Sequence, residues 1–164
     1  MYTEKGASSL HLINSLSYSI PKIISLTSHK QPFSLISKQS ENTMHQPSNN
    51  INLLVHCLHG GKVIGSKCKV YKYMIISKEG CKDPFIAQNI LANVRKNIVG
   101  GKGGEAALKF GNDGCFVCPV DTIMDNLKIV EDAINAAGAK DTFGIGLSWA
   151  ADTLFSPDTK KYEL

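Results

Sequence analysis

The chain contains very little arginine. Of its 18 basic residues only Arg95 is an arginine, and the lysines are scattered along the 164 residues. Proteins that read nucleic acid favour clustered arginine and exposed aromatic residues, so we expect no nucleic-acid partner. The net charge of +4 is explained by a solvated surface. With 43% hydrophobic and 20% charged residues, the composition is typical of an ordinary globular protein.

The sequence also lacks an apolar run long enough to span a membrane. Its best candidate, residues 8–26, is interrupted by serines and by Pro21, and no clear secretory signal is present. This stretch is rich in serine and free of acids, as mitochondrial presequences are, but it has no arginine. Five cysteines form an odd number, so reduced thiols are expected. We predict a cytoplasmic protein without a membrane partner.

The composition changes near residue 50. The first 49 residues are rich in Ser, Gln, Asn and His, with little sustained periodicity. We therefore predict a poorly ordered N-terminal segment that ends in a linker at 37–50. A chain of this length has room for one folded domain with a tail, and we place the domain at 50–164.

Regular patterns begin after this boundary. The short apolar run at 50–58 and the alternating stretch at 66–77 predict a β-hairpin around a glycine turn. Apolar residues at helical spacing predict a helix at 84–99, with Pro84 in its first turn. A second helix is predicted within 121–138, capped by Asp121 or Thr122 and ended by Gly138, and a strand at 142–150 follows. This order favours an α/β layer or barrel.

The turn FGNDGCFVCP, at 110–119, allows more than one chemistry. The spacing of Cys115 and Cys118 is found in redox pairs and zinc sites, whereas an acidic glycine turn suits phosphate or magnesium. A redox pair needs an activated thiolate at a helix N-terminus, which the sequence does not show. A zinc site needs about two more ligands. The predicted hairpin could supply some from His56, Cys57 and His59, but these lie on a different element, so we expect satisfied polar or buried side chains instead.

Three stretches together resemble the enolase family. They are INLLVHCLHGGKVIG at 51–65, FGNDGCFVCP at 110–119 and AINAAGAKDTFGIGLSWAADTLF at 133–155. The corresponding family patterns are LPVPxxNxxNGGSHAG, VGDEGGxAPN and AIxxAGxxxxIxIGLDxAxSEF. The resemblance extends from about Pro32 to the closing KKYEL, and its specificity comes from the order and spacing of the motifs. It implies an α/β fold that is part of an enolase-type barrel, incomplete, with 50–164 forming a partial C-terminal barrel domain.

The resemblance also implies a reaction. Enolases dehydrate 2-phosphoglycerate to phosphoenolpyruvate in glycolysis, use two Mg²⁺ ions and abstract the proton with a lysine. Family members hold magnesium with carboxylates, as a hard ion requires.

Four positions of the family's site can be matched to this chain. The first magnesium aspartate, in IGLD, is Ser148 here, and the histidine of SHAG is Val63. The glutamate of QEF is Lys72, which reverses the charge. The proton-donor glutamate of GDEG matches Asp113, which keeps the carboxylate on a side chain shorter by one methylene. We therefore expect weakened Mg²⁺ and 2-phosphoglycerate binding and a catalytically defective chain.

Three hypotheses remain open at this point. The first is a partial, diverged enolase-family chain without turnover, because we expect the later strands, with the remaining ligands and the base, to be missing. The second is a working phosphopyruvate hydratase represented here only in part. The third is a non-catalytic binding module whose exposed strand edges recruit another chain. Its lysines at 67, 69 and 72 would face an acidic partner, although protection of the strand edge explains them more simply.

Overall fold

The computed structural model describes residues 10–39, 52–78, 83–111 and 113–163. The contacts between Cα atoms divide the chain into two compact units, 1–49 and 50–164. Each unit is described by itself below.

The first unit contains two helices that the sequence patterns did not predict. They are α1, Leu10–Ser28, and α2, Pro32–Gln39. Serine hydroxyls in α1 bond back to carbonyls four residues earlier, as Ser15 does to His11 O at 2.8 Å, so these polar residues are accommodated in the helix. None of the residues of α1 is buried. From residue 40 onward the predicted linker lies outside the described residues.

A four-stranded sheet forms the centre of the second unit. Its strands are β1, Leu54–His59, β2, Lys72–Ser77, β3, Phe116–Val117, and β4, Phe143–Ser148. Their order is β3-β1-β2-β4. The β1–β2 and β2–β4 pairs are antiparallel, and β1 pairs with β3 in parallel. The predicted hairpin and last strand are thus confirmed, while β3 is too short to leave a periodic signal. Among the described residues the sheet is open.

The glycine turn after β1 sets the geometry of the hairpin. The Gly60 N–H donates to Tyr71 O at 2.9 Å, and the Gly61 N–H donates to Cys68 O at 2.7 Å. A Cβ atom on Gly60 would lie 2.4 Å from Val70 O, so only glycine fits there. The second strand begins at Lys72. The prediction of a strand from residue 66 was therefore wrong at its start, and the lysines at 67 and 69 lie in the connection.

Both predicted helices are present. Helix α3, Pro84–Val99, begins with Asp83 as its N-cap, whose carboxylate accepts from the Phe85 N–H at 2.9 Å. Helix α4, Ile123–Ala136, follows Thr122 as its N-cap, and the chain turns away at Gly138 with φ +65°. A separate hairpin, not predicted, pairs β5, Phe155–Ser156, with β6, Lys161–Tyr162.

The hydrophobic core lies between one face of the sheet and the two helices. Helices α3 and α4 pack against each other and contact β1 and β4 respectively. The core residues that are completely buried are Cys57, Leu58, Cys68, Val70, Tyr73, Ile75, Ile90, Val94, Val130 and Ala133. Because side chains alternate along a strand, the Lys72 side chain projects from the face of the sheet opposite to the core residue Tyr73. The face that carries Lys72 also carries the polar cluster described next. No described helix is long and apolar enough to cross a membrane.

Candidate functional site

The register of the sheet aligns three polar residues across neighbouring strands. His59 on β1 is paired with Lys72 on β2, and Lys72 is paired with Ser148 on β4. Directly paired residues place their side chains on the same face. His59 is also paired with Val117 on β3, so the turn that precedes β3 runs past the end of β1.

That preceding turn delivers Asp113 and Cys115 to the same place. The Gly111 N–H donates to Cys115 O at 2.8 Å, and the Gly114 N–H donates to Gly111 O at 3.0 Å. Gly114 has a φ of +79°, which glycine adopts without strain. A Cβ on Gly111 would lie only 2.6 Å from His59 Nδ1. The turn therefore passes so close to β1 that a Cβ at position 111 would clash with the His59 ring.

An ion pair between Lys72 and Asp113 occupies the centre of the cluster. The Lys72 ammonium donates a hydrogen bond to Asp113 Oδ2. The Lys72 side chain is 4% exposed and that of Asp113 is 34% exposed, so the cation is the buried partner. Lys72 Nζ also lies 3.8 Å from Cys115 Sγ and 5.0 Å from the centre of the Tyr71 ring.

Asp113 is held in its ionised form. Burial by itself would raise the pKa of Asp113, but the hydrogen bonds from Cys115, Lys72 and His56 and the charge of Lys72 lower this pKa by more. Cys115 Sγ donates to Asp113 Oδ1 at 2.9 Å, and His56 Nδ1 lies 3.0 Å from Oδ2. A carboxyl group with a lowered pKa carries no proton to donate at neutral pH.

His59 is buried beside this carboxylate without a hydrogen bond. Its exposure is 3%, and neither ring nitrogen has a hydrogen-bond partner within the described part of the chain. Nδ1 lies 3.7 Å from Asp113 Oδ1, and the ring meets Tyr71 edge-on at 5.0 Å. Burial, followed by the charge of Lys72, lowers the pKa of His59, which favours the neutral imidazole.

The structure brings together only some of the residues predicted from the sequence. Lys72 and Asp113 are in contact, and Ser148 is paired with Lys72 across the strands. Val63 lies in the short 3₁₀ turn Lys62–Ile64, is 58% exposed and lines a different cleft, of about 630 Å³. His56 and His59 were set aside because they belong to the hairpin, yet the parallel β1–β3 pairing places them beside Asp113.

The two cysteines of the turn face different surroundings. Cys115 contacts Asp113 and Lys72, whereas Cys118 lies near Cys68 and next to Gly60. Burial is the main cause of the raised pKa values of both thiols, and that of Cys115 reaches about 11. Cys57 is fully buried, and burial raises its pKa to about 12. None of these thiols has the lowered pKa of a redox cysteine.

The donor atoms of this cluster do not fit Mg²⁺. Magnesium needs several oxygen ligands in near-octahedral geometry, with carboxylates supplying the charge. Here the only carboxylate of the cluster among the described residues is bonded to an ammonium group, and the residue paired with Lys72 on β4 is the neutral Ser148. The remaining donors are an imidazole and a thiol, which magnesium does not favour.

Comparison with known proteins identifies the family of this chain. The family model described as "Enolase, C-terminal TIM barrel domain" matches residues 44–164. The chain belongs to the enolase family. Its resemblance to the C-terminal barrel domain agrees with the fold class predicted from the motifs.

Individual relatives agree with the family match. The enolase of Metallosphaera sedula is 26% identical over 150 residues, which is 90% of this chain and 35% of that protein. Enolase B of Dictyostelium discoideum is 28% identical over 71% of this chain and 28% of its own length. The enolase of Methanococcus aeolicus is 25% identical over 96% of this chain and 36% of its own. The chain thus spans about a third of these relatives, and the last match reaches upstream of Pro32, beyond the motifs.

Proposed function

We propose that this enolase-family chain, as its sequence stands, does not dehydrate 2-phosphoglycerate. The observation that carries the proposal is the ion pair between the Lys72 ammonium and Asp113 Oδ2. By sequence resemblance, enolases carry a catalytic glutamate at the position of Lys72 and the proton-donor glutamate at the position of Asp113. A cation at the first position keeps the carboxylate at the second ionised and bonded.

Three further features support the loss of activity. Ser148 offers a neutral hydroxyl where the resemblance implies a magnesium aspartate, and Val63 has no proton to exchange where it implies a histidine. Asp113 is one methylene shorter than glutamate, and misplacement of a catalytic group by about 1 Å can cost roughly a hundredfold in rate.

Two further expectations from the sequence are also proposed for this chain. They are a cytoplasmic location and a domain boundary at residue 50.

A turnover assay of the purified chain tests the proposal directly. The chain is incubated with Mg²⁺ and 2-phosphoglycerate, phosphoenolpyruvate formation is followed, and the enolase of Metallosphaera sedula serves as the positive control. We expect no product above the background without protein. Sustained product formation that requires both the chain and Mg²⁺ would refute the proposal.

A thermal-unfolding experiment reports on ligand binding without relying on turnover. A ligand at a hundred times its dissociation constant stabilises the folded state by about 2.7 kcal/mol, which raises the Tm of a domain of this size by roughly 5–10 °C. We expect no rise with Mg²⁺ and 2-phosphoglycerate together. A clear rise would mean that the substrate site is retained.

A non-catalytic binding module is the second candidate, and the free edge of β4 favours it. Strand β4 is the outer strand of the sheet, and no described strand pairs with its other side. Leu147 on this strand is 37% exposed, and an uncovered edge is a template for pairing with another chain. Light scattering across a concentration series tests this. We expect self-association that Leu147→Lys weakens, and a wild-type chain that stays monomeric would exclude pairing between copies.

A further inference from the structure

The carboxylate of the ion pair and two side chains next to it present potential metal ligands at one point. They are His59, Asp113 and Cys115, and their ligand atoms all lie within 4.8 Å of one another. A second observation is independent of this clustering. His59 is 97% buried, and its Nδ1, which lies 3.7 Å from Asp113 Oδ1, has no hydrogen-bond partner among the described residues. A buried ring nitrogen without a partner carries a desolvation cost, which a bound cation would offset.

We propose that His59 Nδ1, Asp113 Oδ1 and Cys115 Sγ form a binding site for Zn²⁺, with solvent in the fourth position. This ligand set lies outside the four positions matched to the family's site, apart from Asp113. The site does not depend on the absence of enolase activity.

The two oxygens of Asp113 divide the cluster into two halves. Oδ2 contacts Lys72 and His56, while Oδ1 accepts from Cys115 and lies towards His59. A cation bound at Oδ1 therefore leaves the hydrogen bond from Lys72 to Oδ2 in place. His56 and Lys72 both contact the oxygen that does not bind the metal, and Lys72 also places a positive charge near the site.

The distances suit a tetrahedral ion after a small adjustment. Zinc–ligand bonds of about 2.0–2.3 Å at tetrahedral angles place neighbouring ligand atoms roughly 3.4–3.6 Å apart. The separation of His59 Nδ1 and Asp113 Oδ1 is 3.7 Å. Cys115 Sγ and Asp113 Oδ1 are 2.9 Å apart because the thiol donates a hydrogen bond. Zinc would replace the proton in that contact, the proton would go to solvent, and the sulfur would move outward by several tenths of an ångström.

The chemistry of the donors selects zinc over magnesium. Imidazole and thiolate are ligands of borderline and soft ions, and a His, Cys and carboxylate set leaves the open position typical of three-ligand zinc sites. Asp113 and the Cys115 thiolate supply two negative charges to the divalent ion, and the nearby Lys72 ammonium adds one positive charge that opposes the cation. Access is available through a cleft of about 340 Å³ lined by Val55, His56, Asp113 and Cys115.

Zinc titration of the full chain, in competition with a chromophoric chelator, tests the proposal. We expect one tight equivalent in the wild type, and at least about a hundredfold weaker binding in Cys115→Ser and in Asp113→Asn, since even changes to groups around a metal's ligands cost 10–100-fold. The matched control is Cys118→Ser, which removes the neighbouring thiol on the core side of the turn and should bind as the wild type does. Near-UV circular dichroism through Trp149 verifies that each variant is folded.

Cobalt provides a signature that a structural effect would not produce. Co²⁺ bound to a thiolate gives a charge-transfer absorption, which we expect in the wild type and in Cys118→Ser but not in Cys115→Ser.

The charge of Lys72 provides a further test in the zinc titration. Lys72→Met should bind zinc several-fold more tightly, because it removes a positive charge 3.8 Å from the ligand sulfur. The proposal is overturned if the wild type shows no saturable zinc binding. It is also overturned if Cys115→Ser binds as tightly as Cys118→Ser.

Discussion

The Lys72 ammonium donates to Asp113 Oδ2 from a side chain that is only 4% exposed, whereas the carboxylate that receives this bond is 34% exposed. The two partners are thus buried to very different extents. Removing one or the other leaves either a buried cation or a partly solvated anion, and the energetic consequences differ accordingly.

The first prediction concerns this asymmetry. In the presence of a metal chelator, Asp113→Asn should lower the free energy of unfolding by about 3 kcal/mol, because Lys72 then remains buried without a counter-charge. Lys72→Met should change it by less than about 1 kcal/mol, because Asp113 keeps water and its other hydrogen bonds. Urea unfolding measures both values. Lys128→Met, which removes the cation of an exposed helical pair with Asp132, is the control and should have no measurable effect. Equal losses at residues 72 and 113 would contradict the prediction.

The second prediction concerns restoration of the family's carboxylates. The double variant with Lys72→Glu and Ser148→Asp places two like charges directly opposite each other on β2 and β4, close to Asp113. We expect it to have a lower Tm than the wild type, because paired like charges are destabilising, and to show no turnover of 2-phosphoglycerate. Thermal unfolding and the phosphoenolpyruvate assay check the two parts. Recovery of turnover would show that these two substitutions alone had abolished activity.

The third prediction concerns the close approach of the turn to β1. Gly111→Ala would place a Cβ 2.6 Å from His59 Nδ1, and the buried ring has little room to retreat, so we expect a loss of about 1–3 kcal/mol in stability. Gly144→Ala is the matched control, because its Cβ would meet its nearest neighbour, Lys78 Cε, at an ordinary 3.8 Å. Urea denaturation should show wild-type stability or better for Gly144→Ala. A Gly111→Ala variant as stable as this control would mean that the turn can shift away from His59.

The fourth prediction concerns the reactivity of the Cys115-x-x-Cys118 pair. Burial and the hydrogen bond to Asp113 raise the pKa of Cys115 to about 11, so only roughly 0.1% is thiolate at pH 8. In chelator, Ellman's reagent should therefore label Cys115 and Cys118 slowly in the folded protein, and both rapidly in guanidinium. Peptide mass spectrometry measures the labelling at each site. Rapid labelling of Cys115 in the folded state, or a ready Cys115–Cys118 disulfide under mild oxidation, would contradict the structure.

Local patterns determined much of the framework. Helices α3 and α4 follow from apolar spacing, Pro84 and the residues that end each helix, and the β1–β2 hairpin follows from two apolar runs around a glycine turn. The order of the motifs was sufficient to indicate the enolase family. These signals are local in the chain, or depend on spacing, and can be read without knowing which elements meet.

Tertiary structure decided the composition of the candidate site. The sequence shows that Lys72 reverses a charge, but not that its ammonium bonds to Asp113, 41 residues away. His59 was separated from the acidic turn by the hairpin assignment, and only the parallel pairing of β1 with the two-residue strand β3 brings them together. A strand of two residues has no periodicity to detect, and its partner is chosen by the packing of the whole sheet. The sequence by itself therefore showed which residue types are present at these positions. Only the fold determined that Lys72 and His59 lie next to the Asp113 carboxylate.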